Sequence, residues 1–136
     1  MENARHTMLL VDDTEINLDI LEGIFEADFI ILKALNGKQA LKVLKSQKVD
    51  IVILDVVMPE MDGFGVLEAM KEDPALADIP VIIATADEGE NEERALLNGA
   101  DDFIKKPYNP VAVYKRVENI LVKHVLEREK LKDGPE

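Results

Sequence analysis

Short apolar runs recur along this chain, each followed by an amphipathic stretch, and that alternation limits the folds open to it more than any other feature. Met8 to Val11 is the first run, Phe29 to Leu32 the second and Ile79 to Ala84 the fourth. The third, Val49 to Leu54, is apolar at five of its six positions, as a strand covered on both faces would be. Asp102 to Lys105 makes a shorter fifth strand. Between the strands, apolar residues at helical spacing mark one face of each helix. They are Ile16, Ile20, Leu21 and Ile24 in a helix from Glu15, Ala40, Leu41 and Leu44 in a second, and Phe64, Leu67 and Met70 in a third closed by Asp73-Pro74. An acidic segment from Asp87 carries a fourth helix ending near Gly99. Asn109-Pro110 opens a fifth, with Asn as cap and Pro at the first helical position. Asn36-Gly37, Pro59 and Asp62-Gly63 read as turns. Strand–helix repeats of this kind predict an α/β protein with a doubly wound, five-stranded parallel sheet and helices on both faces.

The chain has 136 residues, enough for one domain with a proper core. No stretch reaches the roughly 18 apolar residues of a membrane span, and MENARHT lacks the apolar core of a signal sequence. There is no cysteine, which removes disulfide and thiol chemistry and fits a cytoplasmic setting. The net charge of −12 repels nucleic acid and anionic lipid, so neither is an expected partner. It suits metal cations and proteins with basic patches.

Doubly wound sheets bind their ligands beyond the carboxyl ends of the strands, and there this sequence places its unusual polar residues. The first strand ends in Asp12-Asp13 and the third in Asp55. If those strands are neighbours, three carboxylates converge, and each raises the pKa of the others unless a cation sits among them. An oxygen-only donor set selects a hard cation, Mg²⁺ or Ca²⁺, with Mg²⁺ favoured because it keeps places for water and a phosphoryl oxygen. Thr85 at the end of the fourth strand brings a hydroxyl, and Lys106 after the fifth brings an ammonium. A carboxylate, a divalent cation, a hydroxyl and a lysine together make a phosphoryl-transfer site. Asp55 is the expected nucleophile. Taken singly, each group has an ordinary role as helix cap, loop acid or solvated lysine; it is their joint placement at four strand ends that points to chemistry.

These residues carry a resemblance. VDD (11–13), LDVVMPEMDG (54–63), Thr85-Ala86, GADDF (99–103) and Lys106-Pro107 match, in order and nearly in spacing, the response-regulator receiver domains of two-component signalling, the CheY-like family. The resemblance covers residues 7–123 and implies a flavodoxin-like sheet in the order 2-1-3-4-5, with 124–136 a helical extension, linker or tail. It implies Asp55 as phosphoacceptor, Asp13 and Asp55 as direct Mg²⁺ ligands (Mn²⁺ as a substitute), Asp12 as a ligand through water, and the Val57 carbonyl as a third protein ligand. Thr85 becomes the switch hydroxyl, Phe103 the aromatic that moves with it, Lys106 the phosphoryl contact, and Pro107 follows a cis bond. The implied partner is a sensor histidine kinase or histidine phosphotransfer protein; the helical composition of LVKHVLEREKLK adds the expectation of an output domain C-terminal to this chain and of a second copy paired through that helix. The implied activity is a switch that labels once and loses its phosphate slowly. Val57 and Asp87 stand where the resemblance puts the groups flanking the attacking water.

Two departures accompany the match. The segment from Thr85 to Lys106 is one residue short, and EADFII, before and into the second strand, lacks the usual Gly-aromatic pair. A rival reading is a phosphatase with an aspartate nucleophile, but such enzymes place a general acid two residues after it, where this chain has Val57. Another is a receiver that binds partners without phosphorylation.

Overall fold

The computed structural model describes residues 5–56, 63–86 and 90–133. Their elements alternate as the sequence predicts: β1 (His6–Val11), α1 (Glu15–Phe25), β2 (Phe29–Ala34), α2 (Gly37–Ser46), β3 (Ile51–Asp55), α3 (Gly63–Glu72), β4 (Val81–Thr85), α4 (Glu90–Leu97), β5 (Asp102–Lys105) and α5 (Pro110–Asp133). All neighbouring strands are parallel, in the order β2-β1-β3-β4-β5. Strand limits move by at most two residues from the apolar runs: β3 starts at Ile51 rather than Val49, and β4 at Val81 rather than Ile79.

Side chains alternate across the sheet with period two, and that alternation divides the interior. Leu9, Val11, Val52, Leu54 and Ile83 point into one cluster with Ala40, Leu44, Leu67 and Met70 of α2 and α3. Met8, Leu10, Ile51, Ile53 and Ile82 point into the other, with Leu18, Leu21, Phe25, Val113 and Val117 of α1 and α5. Every residue of β3 and β4 is buried. Each large apolar side chain removed from water contributes about 1.5–3 kcal/mol, so the central strands are the most firmly held part of the molecule.

The buried face of α1 differs from the expected one. Leu18, Leu21 and Phe25 are buried, whereas Ile16 and Ile20 are 72% and 46% exposed. Two apolar stripes overlap in this helix, and Phe25 decides between them. Its ring meets Phe29 edge-on at 5.5 Å and stacks on Tyr114 at 5.6 Å, a sandwich that Ile16 and Ile20 cannot reproduce.

Local signals account for the helix ends. Asn36, read as a turn, is the cap of α2: its Oδ1 accepts from the Gln39 N–H at 2.9 Å, and Gln39 Oε1 accepts from the Leu35 N–H at 2.8 Å. Asn109 caps α5 as expected, accepting from the Ala112 N–H at 3.1 Å. Gly99, at φ +96°, follows α4 in the left-handed conformation that a helix end commonly takes. The α4 helix also rests its Arg94 guanidinium 4.1 Å from the centre of the Phe64 ring. Of the two histidines, His6 is exposed and His124 is half-buried. α5 passes through residues 123 and 124 without a break.

Gly63 sits where α3 meets the end of β3. Its N–H donates to the Val56 carbonyl at 3.1 Å, and a Cβ here would overlap the Asp55 carbonyl oxygen and lie 2.9 Å from Val56 Cα. Backbone atoms on that side cannot rotate away. Gly63→Ala is therefore expected to destabilise the fold by about 1–3 kcal/mol, the usual range for overpacking, seen as a lower urea midpoint at an unchanged slope.

Candidate functional site

Register brings the polar strand ends together. Val11 pairs with Leu54, Asp55 with Ala84, and Thr85 with Lys105. One residue further along, Asp12 comes level with Asp55, and Lys106 follows beside Thr85. Asp12, Asp55 and Thr85 are 1%, 4% and 1% exposed, in contrast to the exposed Asp13. Carboxylate oxygens of Asp12, Asp13 and Asp55 all lie within 4.8 Å of one another.

Such a cluster needs counter-charge, and Lys106 supplies part of it. Its Nζ is 3.1 Å from Asp12 Oδ2 and 3.1 Å from Asp55 Oδ1. Burial pushes the ammonium pKa down, but the Asp55 and Asp12 carboxylates outweigh it, and the net shift is upward. Lys106 thus stays charged. Three carboxylates against one ammonium leave two negative charges in a cluster of oxygen donors, a charge and chemistry that fit a hard divalent cation. The cluster can hold a metal ion.

Asp12 is fixed by more than the lysine. Its Oδ1 accepts from the Thr14 N–H at 3.0 Å and the Thr14 hydroxyl at 2.9 Å, and its Oδ2 accepts from Asn17 Nδ2 at 3.1 Å. Thr14 and Asn17 were not among the residues singled out from the sequence. Their signal is their spacing, two and five residues after Asp12 at the start of α1, where side chains commonly serve strand-end acids.

Lys106-Pro107 is cis, as expected. Phe103 on β5 is half-buried, packed against the cluster on the α2/α3 side, with the Arg116 guanidinium 5.7 Å from its ring centre. Arg116 also donates to Asp102 Oδ1 at 2.8 Å, tying α5 to the strand that carries Phe103. Val57 and Asp87, both expected beside this site, lie outside the described residues.

A doubly wound sheet of this order with acids at the ends of its first and third strands and a lysine after its fifth defines a receiver-type site. The chain belongs to the response regulator receiver domain family, whose model matches residues 8–118. It is 38% identical over 115 residues to the response regulator PleD of Caulobacter vibrioides, covering 83% of this chain and 25% of that protein. With the response regulator SaeR of Staphylococcus epidermidis it shares 40% identity over 118 residues, 85% of this chain and 50% of SaeR. The solved signal receiver domain of an HD domain-containing protein from Pseudomonas fluorescens Pf-5 superposes with a TM-score of 0.86 at 26% identity, covering 96% of both chains. The chain therefore spans a quarter to a half of the length of these curated relatives. Among the described residues, no helix is long and apolar enough to cross a membrane.

The different surroundings of Asp12 and Asp13 separate their roles. Loss of a buried acceptor costs about 1–3 kcal/mol. Asp12→Ala takes the acceptor from Thr14, Asn17 and Lys106 but also relieves repulsion with Asp13 and Asp55, so without cation it should destabilise the fold by less than that. The exposed Asp13→Ala should change stability by no more than about 0.5 kcal/mol. Both should weaken Mg²⁺ binding, Asp13→Ala the more strongly as the expected direct ligand. Urea unfolding and calorimetric titration check the two effects, and unchanged affinity in both variants would refute the metal site.

Proposed function

We propose that this chain is a phosphorylation-controlled switch in which Asp55 accepts a phosphoryl group from the phosphohistidine of a sensor kinase or phosphotransfer protein, in a Mg²⁺-dependent reaction. The observation that carries this reading is a nearly buried carboxylate at the end of the central strand, sharing one lysine with a second buried acid. Asp55 brings the attacking oxygen, forming an O–P bond as the P–N bond of the donor breaks and the imidazole leaves with the electron pair. Asp12, Asp13 and Asp55 would hold the Mg²⁺, which would neutralise the phosphoryl charge.

Lys106 already contacts Asp55 Oδ1, the carboxylate that becomes the acyl phosphate. As negative charge grows there, its ammonium pairs with the phosphoryl oxygens. In this reading Thr85, buried at the end of the adjoining strand, gives its hydroxyl to one of those oxygens. A shift of Thr85 toward the phosphate opens space for Phe103, and the resulting change on the β5 side is read by an output domain or partner. Residues 7–123 form the receiver unit, acting in the cytoplasm, and 124–136 continue it as a helical linker on which two copies can pair.

Asp55→Asn should abolish the gain of one phosphate in intact mass after incubation with a small acyl phosphate and Mg²⁺. Full labelling of that variant at the same site would sink the assignment. A generic phosphate ester should not be turned over, which distinguishes the switch from a phosphatase.

The phosphorylated state should also be long-lived. Hydrolysis needs a water in line with the phosphorus, and the branched, apolar Val57 side chain cannot hold one. Asp87 can accept a hydrogen bond from water, but its charge is repelled by the phosphoryl group. Val57→Asn should speed loss of phosphoprotein once the donor is removed; decay at the same rate or slower would show that this position does not control water.

A further inference from the structure

Tyr108, directly after the Lys106-Pro107 bond, has a buried hydroxyl with no hydrogen-bond partner among the described residues. Its ring packs against the cluster formed with α1 and α5. The other tyrosine, Tyr114, donates its hydroxyl to Asp28 at 2.8 Å. A phenol shut away from water without an acceptor is a cost to the fold, and such a group calls for a reason.

Its surroundings suggest one. Burial, then the charges of Asp12 and Asp55, hold the Tyr108 pKa well above the ordinary tyrosine range. The hydroxyl is thus a proton donor within the electrostatic reach of two members of the acidic cluster, and the oxygens of one of them, Asp12, are already engaged. Asp12 Oδ1 takes both donors of Thr14, and Oδ2 takes Asn17 and Lys106. Lys106 is the one of these donors for which a divalent ion competes, since both are cations seeking the same carboxylate oxygens. When Lys106 gives way, the set of acceptors on this side of the site changes.

We propose that Tyr108 is a positioning residue of the cation site: in the filled site its hydroxyl donates to the Asp12 carboxylate, or to a water that carboxylate holds. This role rests on the Mg²⁺ reading above. The desolvation cost is borne by the cation-free protein and relieved on binding, so the hydroxyl strengthens binding without contacting the ion. Removing it should help, or leave unchanged, the cation-free fold while weakening the bound one.

Tyr108→Phe keeps the ring and tests this with Mg²⁺ alone, without phosphorylation. Calorimetric titration should show Mg²⁺ affinity lowered about threefold to tenfold, the worth of one hydrogen bond. The thermal midpoint of the cation-free variant should equal or exceed that of the wild type. The chain has two tyrosines and no tryptophan, so tyrosine emission reports the site directly. A Mg²⁺-induced change in emission should appear in the wild type and in Tyr114→Phe, and be absent in Tyr108→Phe. Equal Mg²⁺ affinity in Tyr108→Phe and wild type would overturn the proposal, as would a lowered midpoint without cation. A wild type that binds no Mg²⁺ would overturn the cation site itself, and this role with it.

Discussion

The ammonium of Lys106, shared between Asp12 and Asp55 at 3.1 Å from each, is the contact on which this end of the sheet depends. Carboxylates at 1% and 4% exposure have lost most of their hydration, and like charges this close repel strongly where water is scarce. A parallel sheet brings them together regardless, because its register sets which strand-end residues are neighbours. The lysine makes that geometry tolerable and leaves it under-neutralised. A site left two charges short suits a dication, and the proposed phosphoryl transfer to Asp55 rests on that charge balance.

The layers of the fold serve the same end. β3 and β4 are buried at every position, so Asp55 and Thr85 stand at the ends of fully buried strands. The lysine arrives on the edge strand β5 and the flanking acids from β1, which places the reactive group between supports from both sides. Gly63 brings the start of α3 against the Asp55 carbonyl, which fastens a helix to the backbone of that acid.

The sheet and most of the site were legible in the sequence because they depend on one-dimensional patterns. Near-continuous apolar runs mark doubly covered strands, and the residue that ends each run lands at the same edge whatever the details of packing. Asp12, Asp55, Thr85 and Lys106 were therefore readable by position alone. The phase of α1 was not, since two apolar stripes share that helix and the choice rests on the contact of Phe25 with Phe29 and with Tyr114, the last of them far away in sequence. Thr14 and Asn17 escaped notice as ordinary helix-start residues until Asp12 was seen between them. Tyr108 was silent for a different reason: a missing hydrogen bond is a property of three-dimensional surroundings, and no spacing announces it.

The α5 helix has a mechanical consequence. Its 24 residues span about 36 Å at the helical rise of 1.5 Å per residue. The buried anchors Val113, Val117 and Ile120 occupy its first half, and the 13 residues beyond Ile120 extend about 20 Å further. Arg116 joins the anchored half to Asp102, at the start of the strand that bears Phe103. A tilt of about 10° at the base would carry the far tip by about 3 Å over that length. The helix has the geometry of a lever arm: its first half is set in the core, and a small tilt there becomes a larger displacement at its far end.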